Sequence, residues 1–329
     1  MSEPLLDIRN LHVYYKVYGG MLKVLSGINL TVGKGEKVGL IGEAGCGKTT
    51  TMKAVMRILA PNARVPCGEI IFNNKDILKV STKELQHIRR KQISMVFQDP
   101  TAALNPVFKI KDQLSDVIAY ASADEKENLP SKQEVKTAAI QALKDVSLPD
   151  PARILDSYPF QLSGGMKQRV CISMALVAAH ELLIADEPGT SLDVTIEDQI
   201  LRLLGKIAAE KNVAVILISH ALGAVRGLVD RVYVMYAGTI IEVASTDELF
   251  SNPVHPYTKG LLKAIPKLTG GGIMEGIKGR IPDYMNPPDG CRFCTRCEDR
   301  GSDCMDRKPE LVDVGNSHYV ACSQYGGKQ

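Results

Sequence analysis

Apolar and polar positions alternate in stretches over residues 5–15, and a second such segment runs over 22–32, which predicts two half-buried strands. Residues 38–41 form a short apolar run ending in glycines, the pattern of a buried strand. Further strands are predicted at 69–72 and 93–97. Between 109 and 148 the pattern becomes helical: Ser131 and Glu134 have the spacing of a capping box, and Val135, Ala139, Leu143 and Val146 share one face. Residues 182–185 and 213–218 read as strands covered on both faces. A helical segment at 196–209 lies between them, which predicts a parallel sheet with crossovers. Residues 231–236 and 239–243, joined through Ala237 and Gly238, predict a hairpin.

Beyond Phe250 the texture changes. Prolines 253, 256 and 266 are followed by Thr269 and glycines 270–272, then by Pro282, Pro287, Pro288 and a run of cysteines. A boundary is expected near 250, separating a body over 1–250, with a helical subdomain at about 99–180, from an extension over 251–329. The extension is too poor in apolar periodicity for a large core, so a metal staple there would be physically useful. No internal repeat is present.

Composition narrows the function. The chain has 329 residues, 45 % apolar and 23 % charged, and its 40 basic against 37 acidic residues leave +3. The longest basic cluster is Arg89, Arg90 and Lys91, so no nucleic-acid tail is expected. With no Trp and only 6 Phe, a stacking platform for single strands is also not expected. No apolar stretch approaches the roughly 20 residues of a membrane span. The first residues lack the features of a secretory signal, giving cytoplasm as the expected location. In a reducing compartment, five of eight cysteines falling at 291, 294, 297, 304 and 322 suggests metal binding before disulfides.

Gly42, Glu43, Ala44, Gly45, Cys46, Gly47, Lys48 and Thr49 fit the phosphate-binding loop pattern, between a buried strand and a helix predicted at 50–59 beginning with Thr50. Glycines let successive N–H groups wrap a phosphate, Lys48 reaches the β- and γ-phosphates, and the Thr49 hydroxyl can ligate Mg²⁺. Downstream, an apolar strand delivers Asp186 and Glu187 to its C-terminal end, suiting Asp186 to Mg²⁺ and Glu187 to the attacking water. Ser163, Gly164 and Gly165 open another helix and form a second anion site. One nucleotide rarely needs two such sites, which suggests that this one serves a partner chain's nucleotide.

These elements, in this order, resemble the nucleotide-binding subunit of an ABC transporter over nearly the whole length. The resemblance implies an α/β P-loop cassette: a parallel core sheet, an antiparallel β portion, a helical subdomain and a small cysteine-rich C-terminal extension. It implies ATP as substrate with Mg²⁺, Tyr15 as the aromatic on adenine, with neighbouring Tyr14 competing, and Gln98 at Mg²⁺ and the attacking water. It places Asp193, after Ser191 and Leu192, in a loop crossing the dimer interface, and His220 as the switch histidine near the γ-phosphate. Ala102 to Pro106, Met166, and the run Asn252 to Thr258 with Leu261, Leu262, Ala264 and Pro266 resemble the dipeptide and oligopeptide importer branch. That branch implies a second ATPase subunit in a heterodimer, two membrane permeases and an external solute-binding protein, with the chain at the cytoplasmic membrane face. Relatives also import nickel or oligosaccharides.

Ala44 and Cys46 stand where serines are common, Gly189 where threonine is more usual, and Ala221 where an acid often follows the histidine. None removes a catalytic group. Cys46 at a helix N-terminus is expected to favour thiolate, so that alkylation inhibits and ATP protects. In the tail, spacing alone selects Cys291, Cys294, Cys297 and Cys304. The resemblance selects Cys291, Cys297, Cys304 and Cys322 instead, with Cys294 as a substitute, for a structural [4Fe-4S] cluster or, as the alternative, Zn²⁺. Two competing readings are a soluble ABC ATPase of repair or translation, and a redox regulator built on the tail.

Overall fold

Leu6, Ile8, Leu11 and Val13 are all buried, yet strict alternation cannot put both pairs on one face. In the computed structural model they lie in β1 (Leu6–Val17), paired antiparallel with β2 (Gly20–Val32). The register shifts between Ile8 and Leu11, where Asn10 is left-handed at φ 44°, and this bulge moves the parity by one residue. Gly27, at φ 67°, marks the same change in β2, between buried Leu25 and buried Ile28. The structure describes residues 3–123, 129–178, 180–190, 192–220, 222–264 and 276–325. Ser191, Ala221, Pro266, Thr269 and glycines 270–272, singled out above, lie outside them.

The chain packs as two compact units, one of Met1–Gly33, Lys37–Lys79 and Ile218–Gln329, the other of Lys34–Glu36 and Val80–Leu217. In the first, β3 (Lys37–Ile41) leads through a loop into α1 (Lys48–Val55). The helix starts two residues before the predicted position because left-handed Gly47 caps it, and ends early, before left-handed Arg57. β4 (Ala63–Arg64) pairs with β1, while β5 (Glu69–Phe72) and β6 (Lys75–Asp76) extend the sheet in the order β2-β1-β5-β6.

The second unit opens with α2 (Thr82–Lys91), capped by Ser81, and β7 (Ile93–Val96). The helical stretch resolves into α3 (Pro100–Ala103), α4 (Ile110–Ser122), α5 (Lys132–Asp145) and α6 (Pro151–Asp156). The Ser131–Glu134 capping box forms as predicted, and Val135, Ala139 and Leu143 are buried. α7 (Gly164–Ala178) packs against α4 and α5. β8 (Leu182–Asp186), α8 (Val194–Lys211) and β9 (Ala214–Ser219) follow, with every residue of both strands buried. β7 and β8 run parallel, from Ile93↔Leu182 to Val96↔Ala185, and β9 neighbours β8. Each fully buried Leu or Ile here contributes about 2 kcal/mol relative to exposure.

The chain then returns to the first unit through α9 (Leu222–Arg226) and the predicted hairpin, β10 (Arg231–Tyr236) and β11 (Thr239–Ser245). Ala237 and Gly238, at φ 44° and 79°, make the turn, and β10 runs parallel to β3. α10 (Thr246–Ser251) and α11 (Pro256–Lys263) lead to β12 (Val312–Asp313) and β13 (Tyr319–Val320), giving the order β12-β13-β11-β10-β3. Residues beyond 250 pack on this sheet through aromatic rings: Phe293 meets Tyr236 and Tyr257 at centroid distances of 5.1 and 5.5 Å. Fully buried Glu242 accepts hydrogen bonds from the N–H groups of Val254 (2.7 Å) and His255 (3.0 Å) and sits 2.7 Å from His318 Nε2. No helix among the described residues is long and apolar enough to cross a membrane.

Candidate functional site

The loop between β3 and α1 needs glycine where its backbone turns. Gly47 has φ 110° and a Cβ there would lie 2.7 Å from Leu25 Cδ2; a Cβ on Gly42 would collide with the Met235 carbonyl. Gly47, at the N-cap, brings no side chain to cap α1, and a helix N-terminus of this kind favours an anion. Lys48 is 5 % exposed, and its Nζ donates to the carbonyls of Gly42 (2.7 Å) and Glu43 (3.1 Å). Ala44 and Gly45 are exposed, while Thr49 and Thr50 are half-buried in the first turn of α1.

Cys46 overturns an expectation. It is buried, and burial pushes its thiol above the ordinary value, only partly offset by Lys48, whose Nζ lies 3.8 Å from Sγ. The helix end and the lysine favour thiolate, but exclusion of water outweighs them. Burial thus favours the protonated thiol at Cys46, opposite to what its position in sequence suggests.

Three further side chains hold the loop, and sequence reasoning missed all of them. The Glu43 N–H donates to Tyr257 Oη (2.9 Å), Tyr284 Oη donates to the Gly45 carbonyl (2.7 Å), and Arg296 grips both Glu43 carboxylate oxygens at 2.7 and 3.1 Å. They lie 214, 239 and 253 positions away, and no local pattern announces them. Elsewhere in this unit Tyr15 is half-buried on β1 opposite Leu22 and Ala63, Tyr14 directs its hydroxyl toward His12, and His220 is exposed after β9.

In the second unit, β8 ends in Asp186, 3 % exposed, and Glu187, which is left-handed at φ 48°. Glu187 Oε2 accepts from Gln98 Nε2 at 2.9 Å and from Thr190 Oγ1 at 3.0 Å. Because Val96 and Ala185 are paired across parallel strands, the residues two positions further on, Gln98 and Glu187, emerge side by side. Thr190 was not anticipated, although its position three residues after Glu187 suits a turn contact. Ser163 caps α7, its Oγ accepting from the Met166 N–H at 3.3 Å. A Cβ on Gly164 or Gly165 would lie 3.0 Å from Leu192 or Ile196, so the start of α7 is drawn close to the chain around exposed Asp193.

The cysteine tail departs from expectation. The thiols of Cys291, Cys294, Cys304 and Cys322 are electrostatic neighbours, and the Cys291 N–H donates to the Cys304 carbonyl at 2.8 Å. Yet among the described residues no three Cys, His, Asp or Glu are placed to hold a metal ion, neither Cys291, Cys297, Cys304 and Cys322 nor a set using Cys294. Burial, reinforced by the neighbouring thiols, pushes Cys291 up to about 12, and burial also raises Cys294, Cys297 and Cys322.

Comparison with known proteins identifies the family. A family model described as ABC transporter matches residues 25–190, and one described as oligopeptide/dipeptide transporter, C-terminal region, matches 241–304. The chain is 42 % identical over 322 residues to the dipeptide transport ATP-binding protein DppD of Bacillus subtilis, covering 97 % of this chain and 94 % of that one. It is 41 % identical over 321 residues to the oligopeptide transport ATP-binding protein OppD of Haemophilus influenzae, covering 97 % of each. Among solved structures it is similar to the ATP-binding cassette MJ0796, a dimeric post-hydrolysis state bound to ADP and Pi, with TM-score 0.65 and 26 % identity over 73 % of this chain and 98 % of that one. The chain belongs to the ATP-binding proteins of ABC transporters, in the branch that carries the oligopeptide/dipeptide transporter C-terminal region.

Proposed function

We propose that the chain is the ATP-hydrolysing subunit of an importer for dipeptides or oligopeptides, working at the cytoplasmic face of the membrane. The observation that carries this reading is the match over 241–304 to a transporter region, on a chain alike to peptide-transport ATP-binding proteins almost from end to end. The same relatives put peptides ahead of nickel or oligosaccharides, and the transporter region disfavours a soluble repair or translation ATPase. The body at 1–250, with its helical subdomain at about 99–180, supplies the chemistry, and the extension at 251–329 identifies the branch.

The loop from Gly42 to Thr50 binds the phosphates, Lys48 exchanging the carbonyls of Gly42 and Glu43 for phosphate oxygens, and Tyr15 stacks on adenine. Thr49, Asp186 and Gln98 are the proposed holders of Mg²⁺; their oxygens suit a hard cation, and Gln98 uses its Nε2 on Glu187, leaving its carbonyl oxygen for the ion. Bound Mg²⁺ supplies neutralising charge at the β- and γ-phosphates. Glu187 orients a water whose oxygen bonds to the γ-phosphorus as the bond to the β-phosphate oxygen breaks, and His220 completes the site. Ser163, Gly164, Gly165 and Asp193 act on the nucleotide of a second ATPase subunit in a heterodimer, coupled to two permeases and a solute-binding protein. Dimeric association of the solved cassette MJ0796 supports the pairing.

For the tail, ligation of a [4Fe-4S] cluster or Zn²⁺ by Cys291, Cys297, Cys304 and Cys322, with Cys294 as substitute, is supported only by the nearness of the thiols. Their arrangement is not a ligand set, and no step depends on it. Iron, sulfide and zinc analysis of anaerobically prepared protein decides it; absence of all three removes the proposal.

Glu187→Gln tests the transport reading. Tagged variant captured with ATP and Mg²⁺ from solubilised native membranes is expected to bring two polytopic permeases and a second cassette, whereas only soluble partners would overturn it.

A further inference from the structure

Every polar group of Glu43 is engaged. Its carbonyl accepts from Lys48 Nζ, its N–H donates to Tyr257 Oη, and its carboxylate is held by the fork of Arg296. Arg296 is itself saturated: Nε donates to the Lys278 carbonyl (2.8 Å), Nη2 also to the Ile277 carbonyl (2.9 Å), and Nη1 lies 3.3 Å from Tyr236 Oη. Its side chain is 4 % exposed and that of Glu43 26 %. A sheltered two-toothed pair of this kind is geometrically specific, and removing one partner strands the other. Arg296 lies in the cysteine segment, between Cys294 and Cys297, so that segment has a direct grip on the second residue of the phosphate loop.

The loop needs such a grip because of Lys48. To reach a nucleotide, the lysine must leave the carbonyls of Gly42 and Glu43, and within the loop Glu43 then keeps only the long bond from the Cys46 N–H to its carbonyl (3.2 Å). The contacts from Arg296, Tyr257 and Tyr284 remain and hold residues 43 and 45. We propose that Arg296 is a positioning residue for nucleotide binding: through Glu43 it keeps the loop in its binding shape, so that order in the cysteine segment and affinity for ATP are linked. Linkage is reciprocal, so ATP must stabilise residues 277–297 by the factor by which their order raises affinity.

Equilibrium binding of ATP with Mg²⁺ to the full chain tests this, comparing wild type with Arg296→Gln, Glu43→Gln, the double variant and Lys48→Ala. Each single change at the pair is expected to weaken ATP about tenfold, with the double variant no weaker than either single. A purely structural arginine would lower the unfolding midpoint and leave ATP affinity unchanged; that result, or losses that add in the double variant, overturns the proposal. Glu43→Gln alone serves if Arg296→Gln does not fold, because ATP affinity equal to wild type there is also a refutation. Lys48→Ala binding as tightly as wild type would overturn the loop as the nucleotide site and this proposal with it. Unchanged affinity at the pair together with loss in Lys48→Ala overturns only the role of Arg296. Hydrogen exchange gives a second readout: ATP is expected to slow exchange over 277–297 in wild type and not in Glu43→Gln.

Discussion

Gln98 and Glu187 are hydrogen-bonded at 2.9 Å although 89 residues separate them, because each lies two positions past a paired residue of adjacent parallel strands. Glu187 is further held by Thr190 and by its own left-handed backbone. Its carboxylate is thus aimed by three constraints, which suits the water-orienting role proposed for it. Glu187→Gln is expected to retain ATP binding and lower kcat by about 10² to 10⁴, the range for loss of a positioned acid or base. Single-turnover ATPase and equilibrium binding check both halves.

Thr190 offers a finer test. Thr190→Ala removes the 3.0 Å bond to Glu187 and leaves the carboxylate in place. One hydrogen bond of about 1 kcal/mol predicts a kcat about fivefold lower with ATP affinity unchanged. A change in affinity without one in kcat would contradict this role.

The contrast between Glu187 and Cys46 shows where the sequence was legible. The Ser131–Glu134 cap and the Ala237–Gly238 turn follow from residues a few positions apart, whereas Gln98 is placed beside Glu187 only by the family resemblance, and the strand register that joins them is seen in the structure. The reactivity of Cys46 depends on burial, which is set by distant segments, so a sound local rule about helix ends gave the wrong sign. Arg296, Tyr257 and Tyr284 reach the loop across more than 200 positions, and no spacing encodes that. The bulges at Asn10 and Gly27 were invisible for a related reason: alternation shows only a pleat, not where a buried face demands a change of parity.

Cys46 is accordingly expected to resist alkylation in the folded chain. Exposed Cys67 provides the internal comparison. Under native conditions Cys46 should label more than about tenfold slower than Cys67, the gap closing in denaturant. Peptide mass spectrometry over a time course measures the ratio.

His255 predicts a pH dependence. Burial, with a smaller contribution from Lys259, lowers its value from 6.5 to about 3, and its neutral Nδ1 accepts the Tyr257 N–H that begins α11. In the unfolded chain the ring protonates below about 6.5, so the unfolded state binds more protons between that pH and about 3. Stability is therefore complete above the unfolded value and falls as the pH drops. The expected loss between pH 7 and pH 5 is about 2 kcal/mol, read from denaturant midpoints. His255→Asn keeps a capping acceptor and should flatten this part of the profile.

Glu242 predicts the strongest stability effect. Glu242→Ala leaves the N–H groups of Val254 and His255 and the ring of His318 without their buried acceptor. The expected cost is about 3 to 5 kcal/mol, seen as a lower unfolding midpoint, with Glu242→Gln intermediate.

The supports of the phosphate loop come from residues 257, 284 and 296, all translated after β3 and its parallel neighbour β10. A chain growing from its N-terminus completes β3, α1 and β10 well before it makes these supports. Contacts spanning such distances are also late to form, since the intervening chain must first be ordered. The nucleotide loop is thus written early in the message and finished late in folding. Nascent chains that stop short of residue 296 would carry the whole glycine loop and lack the grip on Glu43, which delays full affinity for ATP until the cysteine segment has been made and docked.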